Sequence, residues 1–343
     1  MKSVIYYGKH NMVLKEVPIP AVSQGEAILE VRSVGVCPTD VKAFFMGSSS
    51  VKSPVVLGHE VSGVIHESNT SRLNDGQRVN VAADSPCLQC TVCKKGFQNL
   101  CPDMTSLGVN IDGGYSRFMR INKDFVNKGL VYDLNDKISF DEGALIEPVA
   151  VSLHCLNLVS WDGIENAVVI GDGPNALIHI QLLKKVKNVE NVIVLGLSAE
   201  RLHMASALGA DRTVNVLDGQ SDLDMLKGTG VDVIDITIGN REAMIEAKKI
   251  VGKGSRVLVF GGSIQDSQLP FTMNELHYDQ LTMTGSSGTS IGNYILAADI
   301  VNSRIIDLKR LITERFSLSK VHDALVYSRE MKGLKCVVNP STG

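Results

Sequence analysis

Four apolar runs rich in β-branched residues, NAVVIG, NVIVLG, VDVIDIT and SRVLVFGG, lie between residues 166 and 262, separated by stretches with helical spacing. They lack the polar-apolar alternation of a half-exposed strand, so they suit strands buried on both faces. A sheet is covered on both faces when helices connect its strands. This part of the chain therefore predicts a parallel sheet wrapped by helices, an α/β class of fold. The first run leads directly into GDGPNALIHIQLL, which sets Gly171, Gly173 and Ala176 in a G-x-G-x-x-A pattern, with Pro174 and Asn175 opening the helix that follows. The first glycine allows a tight turn, the second lets backbone approach a pyrophosphate, and the third position must be small for the helix to pack on the strand. The pyrophosphate would then lie on the amides at the helix N-terminus.

In such a turn an acidic residue about 20 positions on, at the end of the second strand, normally binds the adenosine ribose of NAD. In NVIVLGLSAER that position falls on Gly196. Loss of the carboxylate removes a repulsion against a 2′-phosphate, and Ser198 and Arg201 stand close enough in sequence to offer a hydrogen bond and a charge. NADP is favoured over NAD. The alternative is that Arg201 is a solvated helix residue and the site takes either dinucleotide.

Upstream the texture is different. The first 140 residues alternate short β-like runs, EAILEVRSVGV, HEVSGVIHE, QRVNVAA and YSRFMRIN, with Gly, Pro, Asn and Asp, as a mostly β domain does. At Ser139 the segment SFDE has the spacing of a capping box and precedes GALIEPVAVSLHCLNLV, a long helical candidate. A chain of 343 residues predicts two domains. With 34 basic and 37 acidic residues and no basic stripe, neither nucleic acid nor an anionic membrane is the expected partner; a small soluble molecule is. No segment reads as a signal peptide or a membrane span, which predicts a cytoplasmic protein.

Four of the seven cysteines crowd into CLQCTVCKKGFQNLC. Cys87, Cys90, Cys93 and Cys101 offer four soft donors with two-residue gaps, enough to fill every position of a tetrahedral zinc and leave none open for chemistry. The site reads as structural. An iron-sulfur cluster is the rival, but the seven-residue last gap does not match the ferredoxin run.

Elsewhere GVCPTDVK presents Cys37, LGHEVSG presents His59 and Glu60, and LIEPVA presents Glu147. A catalytic zinc wants about three mixed protein ligands and one open position. Singly these residues are ordinary: a core histidine, a helix carboxylate. As a set with the cysteine lobe and the glycine turn, together with DGGYSRFM and GALIEPVAVSLH in this order, the chain resembles the zinc-dependent medium-chain dehydrogenases from end to end. Its EGALIEP helix is similar to that of the sorbitol, butanediol and related polyol branch.

The resemblance implies a GroES-like catalytic domain over residues 1–150, completed by about 291–343, with a Rossmann domain inserted at 151–290. It implies a catalytic zinc on Cys37 and His59 with Glu60 or Glu147, or both in turn. It also implies hydride transfer between a secondary hydroxyl of a polyol or sugar-derived substrate and NADP or NAD, with Thr39 taking the alcohol proton, and a homo-oligomer, a dimer or tetramer. Two positions depart from the family. Lys42 stands where many relatives have a histidine that completes the proton relay, and an amine of ordinary pKa near 10.4 is a poor acceptor at neutral pH. The proton would then leave by another route, unless Lys42 is shifted or serves a phosphate. Pro38 replaces the usual glycine and stiffens the loop. The alternatives are a threonine-type or simple alcohol dehydrogenase, and a non-catalytic zinc- and nucleotide-binding redox sensor.

Overall fold

The computed structural model describes residues 1–218, 230–262 and 268–341. The chain divides into two compact units, one formed by Met1–Ala150 with Thr289–Gly343 and the other by Val151–Gly288.

The first unit is built on a seven-stranded sheet whose order runs Val131–Asp133, Arg78–Val81, Glu60–Ser68, Ala27–Gly35, Lys335–Asn339, Ile312–Ser317, with Phe118–Ile121 also paired to Ala27–Gly35. Its pairs are antiparallel except that between the last two strands of the order. Ala27–Gly35 is the central strand and is buried along most of its length. The C-terminal strand closes onto it, with Val337 opposite Gly35 and Val338 opposite Val34. A smaller sheet joins Asn11–Glu16, Lys2–Gly8 and Val55–Val56.

One register matters for function. Gly35 pairs with Glu60, so the end of one strand meets the start of its antiparallel neighbour. Cys37, two residues past the first strand, and His59, just before the second, are thereby delivered to the same end of the sheet.

The expected long helix after Ser139 is two helices, Phe140–Ala144 and Ile146–Leu156. The capping box is present: Ser139 Oγ accepts from the Glu142 amide at 3.2 Å, and Glu142 Oε2 accepts from the Ser139 amide at 3.1 Å. Leu145 caps the first segment. Pro148 then falls in the first turn of the second segment, where a missing N–H costs nothing, whereas inside one continuous helix it would break the ladder.

In the second unit six parallel strands are ordered Arg212–Asn215, Asn191–Gly196, Asn166–Ile170, Val233–Ile236, Arg256–Val259, Thr282–Gly285. By sequence this is 3-2-1-4-5-6, the doubly wound dinucleotide order. The four apolar runs are its four inner strands. The two outer strands, RTVN and TMTG, escape a hydrophobicity reading because they are only partly covered. No helix among the described residues is long and apolar enough to cross a membrane.

Candidate active site

Cys37 is the N-cap of the helix Pro38–Met46, and Thr39 is the second residue of that helix. Proline at the first helical position suits a backbone nitrogen that needs no partner. Asp40, buried in the first turn, organises the loop around it. Its Oδ2 accepts from the Cys37 amide at 3.4 Å and from the Tyr115 hydroxyl at 3.1 Å; its Oδ1 accepts from the Gly58 amide at 3.3 Å and lies 3.7 Å from His59 Nδ1. At 3.7 Å the carboxylate is too far from the imidazole for a hydrogen bond, but its charge acts on the ring.

His59, Glu60 and Glu147 are all buried, and Cys37 is half-buried. Burial works against protonation of His59, but the charges of Cys37 and Asp40 outweigh it and raise its pKa well above the ordinary value. The Cys37 thiol is within hydrogen-bonding reach of the same ring. Burial, with the like charge of Glu60, lifts the Glu147 carboxyl to about 7 although His59 and Lys335 pull the other way.

Glu60 reaches across the sheet to Lys335, whose Nζ donates to its Oε1 at 2.5 Å. Burial should depress that amine, yet Glu60 outweighs burial and holds its pKa at about 12. The other oxygen, Glu60 Oε2, is buried with no hydrogen-bond partner. A buried carboxylate oxygen left unpaired is costly. A thiol, an imidazole and an orphaned carboxylate oxygen are the donor types zinc takes, so by their chemistry the residues fit a catalytic metal. Among the described residues, however, only the cysteine lobe has three or more ligand atoms mutually within 4.8 Å.

Gly35 makes room for this arrangement. A Cβ there would lie 2.9 Å from the Glu60 carboxyl carbon and closer still to Oε2. Gly35→Ala should displace the Glu60 carboxylate and cost ~1–3 kcal/mol, the usual range for overpacking. At ~2–4 °C per kcal/mol this lowers the melting midpoint by several degrees, readable by calorimetry. An unchanged midpoint with unchanged turnover would show that Glu60 has room to move.

Thr39 and Lys42 are both exposed on the helix that follows Cys37. Asp40 and Lys335 are the residues the motifs did not flag. Asp40 lies inside GVCPTDVK, where its position at the third helical residue was a usable signal; Lys335, 275 positions from Glu60, had none.

In the lobe, the Sγ atoms of Cys87, Cys90, Cys93 and Cys101 all lie within 4.8 Å of one another. Backbone amides already point at sulfur: Cys90 N to Cys87 Sγ at 3.4 Å, Cys93 N to Cys90 Sγ at 3.4 Å, and Cys87 N to Cys101 Sγ at 3.3 Å. Backbone N–H donors from Gln89 and Cys90 lower the Cys87 thiol to about 6, the form a metal requires, while burial raises Cys93 to about 12. Zinc-sulfur bonds of ~2.3 Å place tetrahedral sulfurs roughly 3.8 Å apart, so the set needs only a small contraction.

In the second unit the glycine turn sits at the end of the first strand. Gly171 has φ +129°, and a Cβ there would collide with Thr237 Oγ1. Gly173 is the N-cap of Pro174–Lys185 and has open space above it, nothing lying within 4 Å of where a Cβ would be. Pro174 and Asn175 are half-buried in the first turn, and Ala176 packs against the sheet. That clear space over a helix N-terminus fits a pyrophosphate. Gly196 ends the second strand, Ser198 caps the helix Ala199–Ala207 with its Oγ accepting from the Arg201 amide at 3.4 Å, and Arg201 Nη1 lies 3.7 Å from Asp172 Oδ1.

Comparison with known proteins matches residues 23–130 to the alcohol dehydrogenase GroES-like domain and residues 176–303 to the zinc-binding dehydrogenase domain. Sorbitol dehydrogenase of Bacillus subtilis is 28% identical, over 99% of this chain and 98% of its own. A protein of Neosartorya fischeri named probable D-xylulose reductase A is 30% identical, over 98% of this chain and 96% of its own. Among solved structures, an alcohol dehydrogenase from Thermotoga maritima superposes with a TM-score of 0.91 at 25% identity, over 99% of both chains.

Proposed function

The chain belongs to the zinc-containing alcohol dehydrogenase family, in the branch of sorbitol and related polyol dehydrogenases, and from that membership we infer which residues work and on what class of substrate. The protein is an NAD(P)-dependent dehydrogenase with a GroES-like and a Rossmann domain. Our proposal is that it oxidises a secondary hydroxyl of a polyol or sugar-derived molecule, with NADP preferred to NAD.

The observation that carries the proposal is buried His59, Glu60 and Glu147 with half-buried Cys37, and Glu60 Oε2 unpartnered. Cys37 and His59, completed by Glu60 or Glu147, would hold the catalytic zinc, and Cys87, Cys90, Cys93 and Cys101 the structural one. When bound, the zinc supplies Lewis-acid polarisation of a substrate hydroxyl and the dinucleotide supplies the hydride acceptor. Asp40 holds the loop around Cys37 and Gly58, and its charge favours protonation of His59. Lys335 holds Glu60 by Oε1 and leaves Oε2 without a partner. Thr39 Oγ1 would receive the hydroxyl proton, and its exposure gives that proton a way to solvent that does not need Lys42.

Preference for NADP is supported by the absence of a side chain at Gly196 and by Arg201 beside it. We further propose a homo-oligomer, a dimer or tetramer, that works in the cytoplasm on a small molecule. The open edge strand Thr282–Gly285 and the exposed Met273 and Tyr278 suit self-association, and thiols of a zinc lobe suit a reducing compartment. The intact donor set leaves the non-catalytic sensor without support.

The test is reduced-nicotinamide formation by zinc-loaded protein over polyols, sugars, sugar acids, vicinal diols, threonine and simple alcohols, with NADP and NAD in parallel. A polyol or sugar-derived substrate turned over faster with NADP is the expected result. Oxidation of threonine alone would move the assignment to the threonine-type enzymes, and a higher kcat/KM with NAD would reverse the cofactor preference.

A further inference from the structure

In the doubly wound order the adenosine ribose of a dinucleotide lies beyond the carboxyl ends of the first two strands, and the acidic group that selects it normally stands at the end of the second. Here those strands pair in parallel with Ile170 beside Leu195, so the segments that leave them, Gly171–Gly173 and Gly196–Ser198, run side by side. The second strand ends in Gly196, which has no side chain to offer.

The space beside Gly196 is nevertheless filled by a carboxylate. A Cβ on Gly196 would lie 2.8 Å from Asp172 Cβ and 2.9 Å from Asp172 Oδ2, and also 2.9 Å from Leu202 Cδ2. Asp172 is the middle residue of the Gly-Asp-Gly turn and is only 8% exposed. Its Oδ2 accepts from the amides of both Leu197 and Ser198 at 2.8 Å. Oδ1 is left for other partners, with Arg201 Nη1 at 3.7 Å, beyond hydrogen-bonding distance. The acidic group has thus moved from the second strand to the loop after the first.

We propose that Asp172 is the specificity-determining residue of the dinucleotide site, its carboxylate replacing the acidic side chain missing at Gly196. Asp172 Oδ1 accepts from the ribose 2′-hydroxyl of NAD and opposes the 2′-phosphate of NADP, while Arg201 does the reverse. A carboxylate can accept from a hydroxyl but repels a phosphate carrying a charge near −2, and a single guanidinium must serve both anions. The preference for NADP becomes a balance between two side chains 3.7 Å apart, narrower than the bare Gly196 implies. This inference rests on the proposed dinucleotide site, and it explains why a carboxylate could not be restored at position 196 without colliding with the one already there.

Titration calorimetry of the intact protein with 5′-ADP and 2′,5′-ADP tests it without knowledge of the substrate. Asp172→Asn keeps an oxygen for the Leu197 and Ser198 amides and removes the charge. It should shift the affinity ratio toward 2′,5′-ADP by roughly tenfold, and Arg201→Ala should shift it toward 5′-ADP by a similar factor. Asp172→Ser, with a shorter acceptor, should repeat the first shift if the asparagine variant folds poorly. Equal weakening of both probes in the Asp172 variants would make Asp172 a loop cap only, and an unchanged ratio would equally overturn the proposal. The wild-type ratio judges the NADP preference separately: a protein that favours 5′-ADP, yet shifts on Asp172→Asn, refutes that preference and upholds the role of Asp172. Failure of the wild type to bind either probe would overturn both.

Discussion

Cys37→Ser is expected to abolish turnover, by on the order of a thousandfold or more, while the protein stays folded and the zinc of the cysteine lobe stays bound. The magnitude follows from what a metal contributes: several kcal/mol of charge stabilisation, at about 1.4 kcal/mol for each tenfold in rate. The fold should survive because Cys37 is the N-cap of Pro38–Met46 and serine is among the best N-cap residues. Turnover and metal content measured on the same preparation check it. Undiminished activity would remove Cys37 from the catalytic site, and loss of all zinc with unfolding would mean that the two metal positions are not independent.

Cys90→Ser is expected to act on stability instead. Cys90 caps the short helix Thr91–Lys94, and its Sγ accepts from the Cys93 amide, so on the proposed assignment the sulfur would be both a donor to the metal and part of the turn that brings the other thiols in. Structural zinc contributes apparent binding energies of ~10–16 kcal/mol in small peptides, much of it folding energy. Losing even ~3 kcal/mol of that would lower the melting midpoint by roughly 6–12 °C. Metal analysis and thermal unfolding decide it. A variant that has lost the lobe's zinc yet melts with the wild type would contradict a structural role.

What could be read from the sequence was local. The lobe is specified by gaps of two, two and seven residues, and its four sulfurs do converge. The glycine turn needed only the strand before it and the helix after it, and the four inner strands of the parallel sheet announced themselves by continuous hydrophobicity. What escaped depends on residues far apart or only partly covered. Glu60 meets Lys335 across 275 positions, and no spacing rule reaches that far. Asp172 lay in plain view inside the turn, but as the variable residue of G-x-G it carried no expectation; only the parallel register of the first two strands turns it toward Gly196. The helix break at Leu145 was hidden because the apolar positions on either side keep helical spacing. The charges that act on Glu147, those of His59, Glu60 and Lys335, are likewise assembled only on folding.

The strand Lys335–Asn339 closes a sheet whose central strand was made some 300 residues earlier, and Asn339 donates to the Arg32 carbonyl across a separation of 307. During synthesis the inserted unit, complete at Gly288, has its whole sequence available while the unit that encloses it still lacks a strand. At ~5–20 residues per second, the remaining 50 or so residues take roughly 3–10 s to appear. For that interval the end of Ala27–Gly35 at Val34 and Gly35, which Lys335–Asn339 covers, lacks its second neighbour, an unpaired strand edge of the kind by which nascent chains adhere to one another. The unit built first is thus finished last, and the seconds before Lys335–Asn339 emerges are when the growing chain most needs a chaperone.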